Sequence, residues 1–595
     1  MNDNMDFILA DILSHTHTIA MVGASSNWKR PSYFVMKYLL EQGYQVIPVN
    51  PTLQGQDILG QTVYGSLHDI PFPVDMVDVF RRVEECPQIA RDAVAIGAKI
   101  LWLQQKIISN EADLIATDAG LRVIMDRCPK IEHSRLNGLL GIHGFHSGVM
   151  TARRRSAPTS KPAPRDGGLF KSQQLQTLAI HAGTAPDSAT GARITPIYQT
   201  TAFVFDDAEH AAGLFNLQTP GNIYGRLSNP TTAALEQKLA ALEGGLGATC
   251  CASGHAAQLL ALFPLMQPGH RIIASTRLYG GTVTQFSKTF QRFGWHVDFV
   301  DTDDIDAVRV ALAHEDARVL FAESLANPGG IVTDIEALSK CAKEFGVPLI
   351  IDSTMATPIL CRPIDYGADI VVHSTTKFLS GHGQAMGGVV IDSGRFDWSS
   401  GRGFPALTEP EPAYHGISFF ETFGPLSFTN YAHAVGLRDL GPTMAPMNAF
   451  LTLTGLETLA LRMPAHVANA YKVALFLDNH PKVETVTYAK LTTSPWFKNA
   501  EKYMPEGPGS VFTFCIKGHY EDGAKLVAHC NLFSHLANIG DTRSLILHPA
   551  STTHRQLTEE QRQAAGIEEN MLRLSIGLEH ADDLIYDLEQ ALAVI

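Results

Sequence analysis

Five short apolar runs mark the opening part of the chain: TIAMVG (18–23), YQVIPVN (44–50), VDMVDVF (74–80), KILWLQ (99–104) and LRVIMD (121–126). Each is rich in Val, Ile and Leu and shorter than an ordinary helix. Between them lie segments with helical spacing, such as SYFVMKYLLEQG (32–43). Apolar strands alternating with helices predict a parallel sheet wound by right-handed crossovers. The pattern lapses over TARRRSAPTSKPAPRDGG (151–168), where Pro, Ser, Gly and Arg replace any apolar period, so this stretch reads as a partly extended tether. It resumes on a larger scale with RIIAS (271–275), VLFAES (319–324), PLIID (348–352) and DIVVHS (369–374) as strands. A long helical stretch, ALRMPAHVANAYKVALFLDN (460–479), then leads into a mixed α+β tail. The expected class is α/β. A Rossmann-like parallel-sheet domain occupies 1–147, a linker 148–171, an N-terminal arm with a large α/β domain 172–455, and a smaller C-terminal α+β domain 456–595.

At 595 residues the chain exceeds what one hydrophobic core supports. With 45% hydrophobic and 18% charged residues it has the make-up of a globular protein. No apolar run reaches the ~18 residues that cross a bilayer. The start, MNDNMDFILADILSH, carries acids where an export signal carries Lys or Arg. Eight cysteines from Cys86 to Cys530 show no CxxC spacing, and Cys250–Cys251 is too strained a pair for a disulfide. These features predict a cytoplasmic protein with reduced thiols and no metal site. The net charge of −14 is uneven: residues 1–150 hold 12 basic and 16 acidic residues, whereas 151–171 hold six basic and one acidic. An acidic body argues against nucleic acid as a partner, and the Arg153–Arg154–Arg155 run reads as a solvated tether.

The densest chemistry lies in DIVVHSTTKFLSGHG (369–383), where an apolar strand ends in Ser374, Thr375, Thr376 and Lys377 before a Gly-rich turn. Ligand sites of parallel sheets lie beyond the carboxyl ends of strands, and partial burial there makes a lysine amine nucleophilic. Hydroxyls of Ser374 and Thr376 suit a phosphate, although a lysine after a strand is also ordinary loop furniture. Twenty-five residues upstream, LIIDSTMATP (349–358) ends another strand at Asp352. A carboxylate there is often a cap, but in a pyridoxal site it keeps the pyridine nitrogen protonated. In CASGHAAQLLALF (251–263), Ser253–Gly254 precedes a helix whose N-terminus attracts phosphate, or simply caps it. NIYGRLSNPTT (222–232) offers Tyr224 and Arg226, the latter either a phosphate fork or a surface arginine. Tyr279 of LYGGT (278–282) either stacks on a ring or fills a core.

Taken in order, PIYQTTAFVF, YGRLSNPT, SGHAAQ, LYGGT, ESLANP, IIDSTMATP, HSTTKFLSGHG and RLSIGLE resemble the Cys/Met-metabolism family of fold-type-I pyridoxal-phosphate enzymes, from QTLAIHAG (176–183) onward. The resemblance implies Lys377 as the Schiff-base lysine and proton shuttle, Asp352 as partner of the pyridine nitrogen, and Tyr279 as the stacking ring. It implies Gly254, His255, Ser374 and Thr376 as phosphate ligands, Asn327 near the cofactor's 3-hydroxyl, and Arg573 with Ser544 as the grip on the substrate α-carboxylate. Tyr224 and Arg226 would reach the phosphate of a neighbouring subunit, implying a homo-oligomer with a dimer-built site, as in a tetramer. Ser353, Gly225 and His255 depart from the commoner Asn, Ser, and Met or Gln of the family, and none removes a charge the chemistry needs.

Within the family, GNIYGR, FPALTEPEPAYHG (404–416), LFSHLANIGDTRSLILHPASTTHRQL (532–557) and Gly281 lean toward the branch that replaces the acetoxy group of O-acetylhomoserine by sulfide. Methionine γ-lyases tend to carry Cys at the Gly281 position. Cystathionine γ-synthase or γ-lyase activity, methionine γ-lyase activity, and O-succinylhomoserine as donor are the alternatives. The small-molecule partners would be an acylhomoserine and sulfide or a thiol.

AMVGASSNWKRPSYF (20–34) is strand, turn and helix start, a plausible anion site, but not GxGxxG. The second strand ends in Asn50–Pro51 rather than an acid, which disfavours NAD. VGAS, VIPVNP, VDVFRR and MDRCPKIEH resemble the small CoA-binding Rossmann family over 16–136. That likeness implies Gly23, Ala24 and Ser25 as a phosphate turn with Asn50 and Pro51 lining the cleft. Arg81 or Arg82 would pair with phosphate or bridge on the surface, and Cys128 would form a mixed disulfide with CoA or stay an inert thiol. The module is then either a sensor of CoA or acyl-CoA or an interaction domain without a ligand. A chain starting near Lys171 is expected to keep its catalysis, because the whole pyridoxal motif set lies downstream.

Overall fold

A computed structural model describes residues 3–28, 30–136, 174–187, 190–217, 221–327, 330–552 and 568–595. The tether expected over 148–171 lies outside the described residues.

Each of the five early apolar runs forms a strand: β1 (Thr18–Val22), β2 (Gln45–Val49), β3 (Met76–Val79), β4 (Ile100–Leu103) and β5 (Arg122–Ile124). All pair in parallel, in the order β2-β1-β3-β4-β5. The order reverses between β1 and β3, and in such sheets that is where a crevice opens beyond the strand ends. The turn after β1 enters that crevice. Gly23 has φ +92°, and a Cβ there would collide with the Phe80 carbonyl after β3. Only glycine lets these two strand ends approach so closely.

Seven strands build the large domain: β6 (Gly247–Cys251), β7 (Arg271–Ser275), β8 (His296–Val300), β9 (Ala317–Glu323), β10 (Leu349–Asp352), β11 (Ile370–His373) and β12 (Gly388–Asp392). Their order is β8-β7-β9-β10-β11-β12-β6. β12 runs antiparallel to both neighbours, so this sheet is mixed. The Gly-rich turn after Lys377 explains it, because the chain returns as an adjacent antiparallel strand without a crossover helix.

The helix Leu459–Asp478 opens the C-terminal domain. Its sheet comprises β13 (Val483–Thr487), β14 (Val511–Ile516), β15 (Ser534–His535), β16 (Leu545–Leu547) and β17 (Met571–Ser575). The order β13-β14-β17-β16-β15 is mixed, as the α+β tail predicted.

The N-terminal module is packed onto the large domain. One buried apolar cluster contains Leu9, Phe34 and Tyr38 of the module together with Leu407, Tyr414, Phe419 and Phe423 of the segment 404–440. Trp28 meets His415 edge to face at 5.2 Å, and Lys106 lies 4.6 Å above the Phe420 ring. Lys130 is buried among Phe34, Tyr38 and Phe423, 5.7 Å from the last ring. Among the described residues no helix is long and apolar enough to cross a membrane.

Candidate active site

Asp352 and the strand leading to Lys377 are neighbours: β10 and β11 pair in parallel with Asp352 opposite Val372. Beyond their carboxyl ends lies a cavity of about 260 Å³ lined by Asp352, Ser374, Thr376 and Lys377. Gly254, His255, Tyr279, Asn327 and Arg573 line it too.

The position of Lys377 is set from both domains. Its N–H donates to the Ser374 carbonyl at 3.3 Å, and Gly381 N–H donates back to the Lys377 carbonyl at 2.8 Å. Arg462, on the first helix of the C-terminal domain, donates to the Phe378 carbonyl at 2.9 Å. The Lys377 amine donates to Asn538 Oδ1 at 2.5 Å. Burial, followed by the positive charge of Arg573, pulls this amine down to about 8. Burial also lowers Arg573 to about 10; its guanidinium donates to Asn327 Oδ1 and to the Asn538 carbonyl, each at 3.2 Å.

Asp352 is held by a hydroxyl that also ties the two strand ends together. Thr354 Oγ1 donates to Asp352 Oδ1 at 2.5 Å and accepts the Ser374 N–H at 2.9 Å. The second carboxylate oxygen accepts Gln258 Nε2 at 3.3 Å. Gln258 Oε1 is buried without a partner among the described residues.

Gly254 begins the helix Gly254–Leu262, which Ser253 caps by accepting the Ala256 N–H at 3.2 Å. A Cβ at Gly254 would stand 2.8 Å from Ser374 Cβ. The helix start and the loop before Lys377 therefore form one cradle with room for an anion and none for a side chain. Thr376 Oγ1 donates to the Gly387 carbonyl at 3.2 Å and accepts the Gly387 N–H at 3.1 Å, which anchors the turn. His255 stands 5.9 Å from the Tyr279 ring, and burial lowers its pKa.

These groups fit pyridoxal phosphate. There is an amine depressed to near neutrality, a carboxylate on the adjoining strand end, and a helix N-terminus beside two hydroxyls. The unpartnered Gln258 oxygen points to a polar guest.

Three expected residues stand elsewhere. Ser544 is buried away from the cavity lining; its hydroxyl donates to Glu579 Oε2 at 2.8 Å and accepts the Gly577 N–H at 2.8 Å. Its hydroxyl proton is already spent on Glu579. Tyr224 and Arg226 line a different cavity of about 540 Å³, with His415, Tyr414 and Arg438 on its wall. The Ala202–Tyr224 bridge and the Gly225 N–H bonded to Thr201 hold them on the N-terminal arm. Thr354, Gln258, Glu323 and Asn538 were missed as site residues, although all four lie within motif stretches quoted above.

In the N-terminal module, Asn50 Nδ2 donates to the Ala24 carbonyl at 2.8 Å, joining the turn after β1 to the end of β2. Gly23, Ala24, Ser25, Asn50 and Pro51 thus gather at the crevice. Arg81 and Arg82 both pair with Glu85, at 4.0 and 3.3 Å, the surface role. Cys128 is buried, and burial pushes its thiol up to about 12, which suits an inert thiol and not disulfide exchange with CoA.

Comparison with known proteins follows the same division. Residues 176–593 match the family described as Cys/Met metabolism PLP-dependent enzyme, and residues 17–134 match the CoA binding domain. The O-acetyl-L-homoserine sulfhydrylase of Leptospira meyeri is 49% identical over 444 residues, 73% of this chain and 99% of the relative. O-acetyl-L-homoserine sulfhydrylase 1 of Thermus thermophilus is 46% identical, covering 71% of this chain and all of the relative. Among solved structures, a Campylobacter jejuni protein assigned as an O-acetylhomoserine (thiol)-lyase superposes with a TM-score of 0.68 at 41% identity. It covers 71% of this chain and 100% of its own, and carries N'-pyridoxyl-lysine-5'-monophosphate.

Proposed function

The chain belongs to the Cys/Met metabolism PLP-dependent enzymes, and we propose that it replaces the acetoxy group of O-acetylhomoserine by sulfide, giving homocysteine and acetate. The observation that carries this reading is the single cavity shared by Lys377, Asp352 and Arg573, in a chain nearly half identical to sulfhydrylases over the catalytic region. Bound pyridoxal phosphate supplies a carbonyl that an amine can condense with and a ring that accepts the electron pair left at Cα.

The protein's own residues do the rest. Arg573 takes the substrate carboxylate with a charge-assisted fork. Asp352 would pair with the ring nitrogen, its carboxyl group held by the Thr354 hydroxyl and the Gln258 amide. Lys377 removes the Cα proton and then a Cβ proton; an amine near 8 is suited to giving protons back as well as taking them. Acetate departs from Cγ, sulfide adds at Cγ, and the protons return to Cβ and Cα. The Ser253–Gly254–His255 amides with the Ser374 hydroxyl would hold the phosphate, joined by the Thr376 hydroxyl once it turns from the Gly387 carbonyl. Tyr279 would cover the ring, and Asn327 would stand near its hydroxyl. That Tyr224 and Arg226 lie outside the Lys377 cavity supports a dimer-built site within a homo-oligomer, in which they would serve a neighbouring copy.

A product assay tests the reading: O-acetylhomoserine and O-succinylhomoserine against sulfide, methanethiol and cysteine. Homocysteine from the acetyl donor and sulfide at the highest kcat/KM is expected. Preference for cysteine would favour a cystathionine γ-synthase, and release of a keto acid without an acceptor would favour a γ-lyase.

A second observation bears on the N-terminal module. Trp28, three residues past Ser25, touches His415, and His415 also walls the cavity that holds Tyr224 and Arg226. This favours the module as a sensor of CoA or acyl-CoA over a module without a ligand. Calorimetry of the full chain with CoA and acetyl-CoA, run beside turnover, tests it. No heat at millimolar ligand removes the sensor reading.

A further inference from the structure

Glu323 ends β9 in register with Asp352 on β10, lines the Lys377 cavity, and is 5% exposed. No ion pair reaches it among the described residues. Its two oxygens are divided between two loops: Oε1 accepts the Tyr279 N–H at 2.6 Å and Oε2 accepts the Asn327 N–H at 3.0 Å. Tyr279 follows β7, and Asn327 follows β9 itself, so one carboxyl group ties together residues that would otherwise stand on independent turns. Tyr279 is half exposed, and this backbone bond acts beside the His255 ring and the Val283 N–H in setting where its ring stands. Asn327 passes the restraint onward, because its Oδ1 accepts Arg573 Nη1 at 3.2 Å.

We propose that Glu323 is a positioning residue of the reaction, a two-oxygen clamp that sets the Tyr279 ring and the Asn327–Arg573 pair relative to the bound cofactor. The inference rests on assigning the Lys377 cavity to pyridoxal phosphate. Burial and the neighbouring Asp352 push the Glu323 carboxyl well above the ordinary carboxylate range. The two backbone N–H bonds it accepts act in the opposite sense, and each of its oxygens is used by one of them. A glutamine has the same size and no charge, but its NH₂ cannot accept, so one of the two backbone N–H groups loses its partner. An aspartate is one methylene short of reaching both.

The test uses the full chain with Glu323→Gln and Glu323→Asp, measuring the pyridoxal-phosphate dissociation constant by titrating cofactor-free protein, its melting temperature, and kcat and KM. The clamp predicts that both variants bind the cofactor at least roughly tenfold more weakly. It also predicts a raised KM for the amino-acid donor and a cofactor-free melting temperature within a few degrees of the parent for Glu323→Gln. Parental cofactor affinity and KM in both variants would overturn it. So would losses that merely track a fall in melting temperature. The titration does not depend on which acyl group or thiol reacts, so a wrong substrate assignment would appear as absent turnover in the parent chain, with the difference in cofactor affinity intact.

Discussion

The Lys377 amine donates to the side-chain oxygen of Asn538 at 2.5 Å, and Arg573 is bonded to the same residue's carbonyl. Asn538 thus joins the reactive amine to the guanidinium whose charge helps depress it. The depressed amine is protonated below about 8 and neutral above. Only the neutral form attacks a carbonyl, so capture of added pyridoxal phosphate by cofactor-free chain should accelerate as pH rises through about 8 and level off above it. The rate of appearance of the visible band between pH 6.5 and 9.5 checks this. A rate still climbing toward the ordinary lysine value of ~10.4 would show that the amine is unperturbed.

Lys377→Ala should bind pyridoxal phosphate without the covalent visible band and lose at least about 100-fold in turnover, the usual loss when a proton-transferring group is removed. Absorbance after borohydride treatment and gel filtration checks the attachment. Full turnover by this variant would sink the assignment of the site.

Gly254→Ala places a methyl group 2.8 Å from Ser374 Cβ, inside the cradle assigned to phosphate. The expected outcome is weaker cofactor binding, by roughly tenfold or more, with little change in fold stability, because the position opens on the cavity and not on packed core. Equilibrium dialysis against pyridoxal phosphate decides it; unchanged affinity would move the phosphate elsewhere.

Lys377→Ala and Arg226→Ala should each be inactive alone yet complement each other if Arg226 serves a neighbouring copy. Random re-pairing of two such chains within two-fold dimers leaves about a quarter of the sites with both groups intact. Activity regained on unfolding and refolding the mixture checks this. No recovery would confine Arg226 to its own chain.

Much of the site was legible because of where it stands on the strands. LIID and IVVH are apolar up to their last residue, so the polar groups that follow, Asp352 and His373 through Lys377, were expected at the carboxyl ends of their strands. The partners that hold those groups were not legible. Thr354 reads as one hydroxyl among several, and only the pairing of β10 with β11 lets it donate to Asp352 while accepting from Ser374. Ser544 shows the reverse: its motif is present, but Glu579 from the turn after β17 takes its hydroxyl. The antiparallel β12 escaped because GGVVID has no feature that distinguishes strand direction. The contact between the N-terminal module and 404–440 escaped for a related reason, since apolar positions announce burial without naming what covers them.

The apolar cluster running from Leu9 and Phe34 through Phe419 and Phe423 makes the stability of one module the concern of the other. Removing residues 1–170 would leave Phe419 and Phe423 facing water, so a chain starting near Lys171 is expected to keep its chemistry while losing its resistance to heat. By the same linkage, a molecule held in the N-terminal crevice at a hundred times its Kd adds about 2.7 kcal/mol to whatever unfolds as one unit with it. Catalysis would then outlast warming for longer when that crevice is filled, even if the turnover of each molecule never changed.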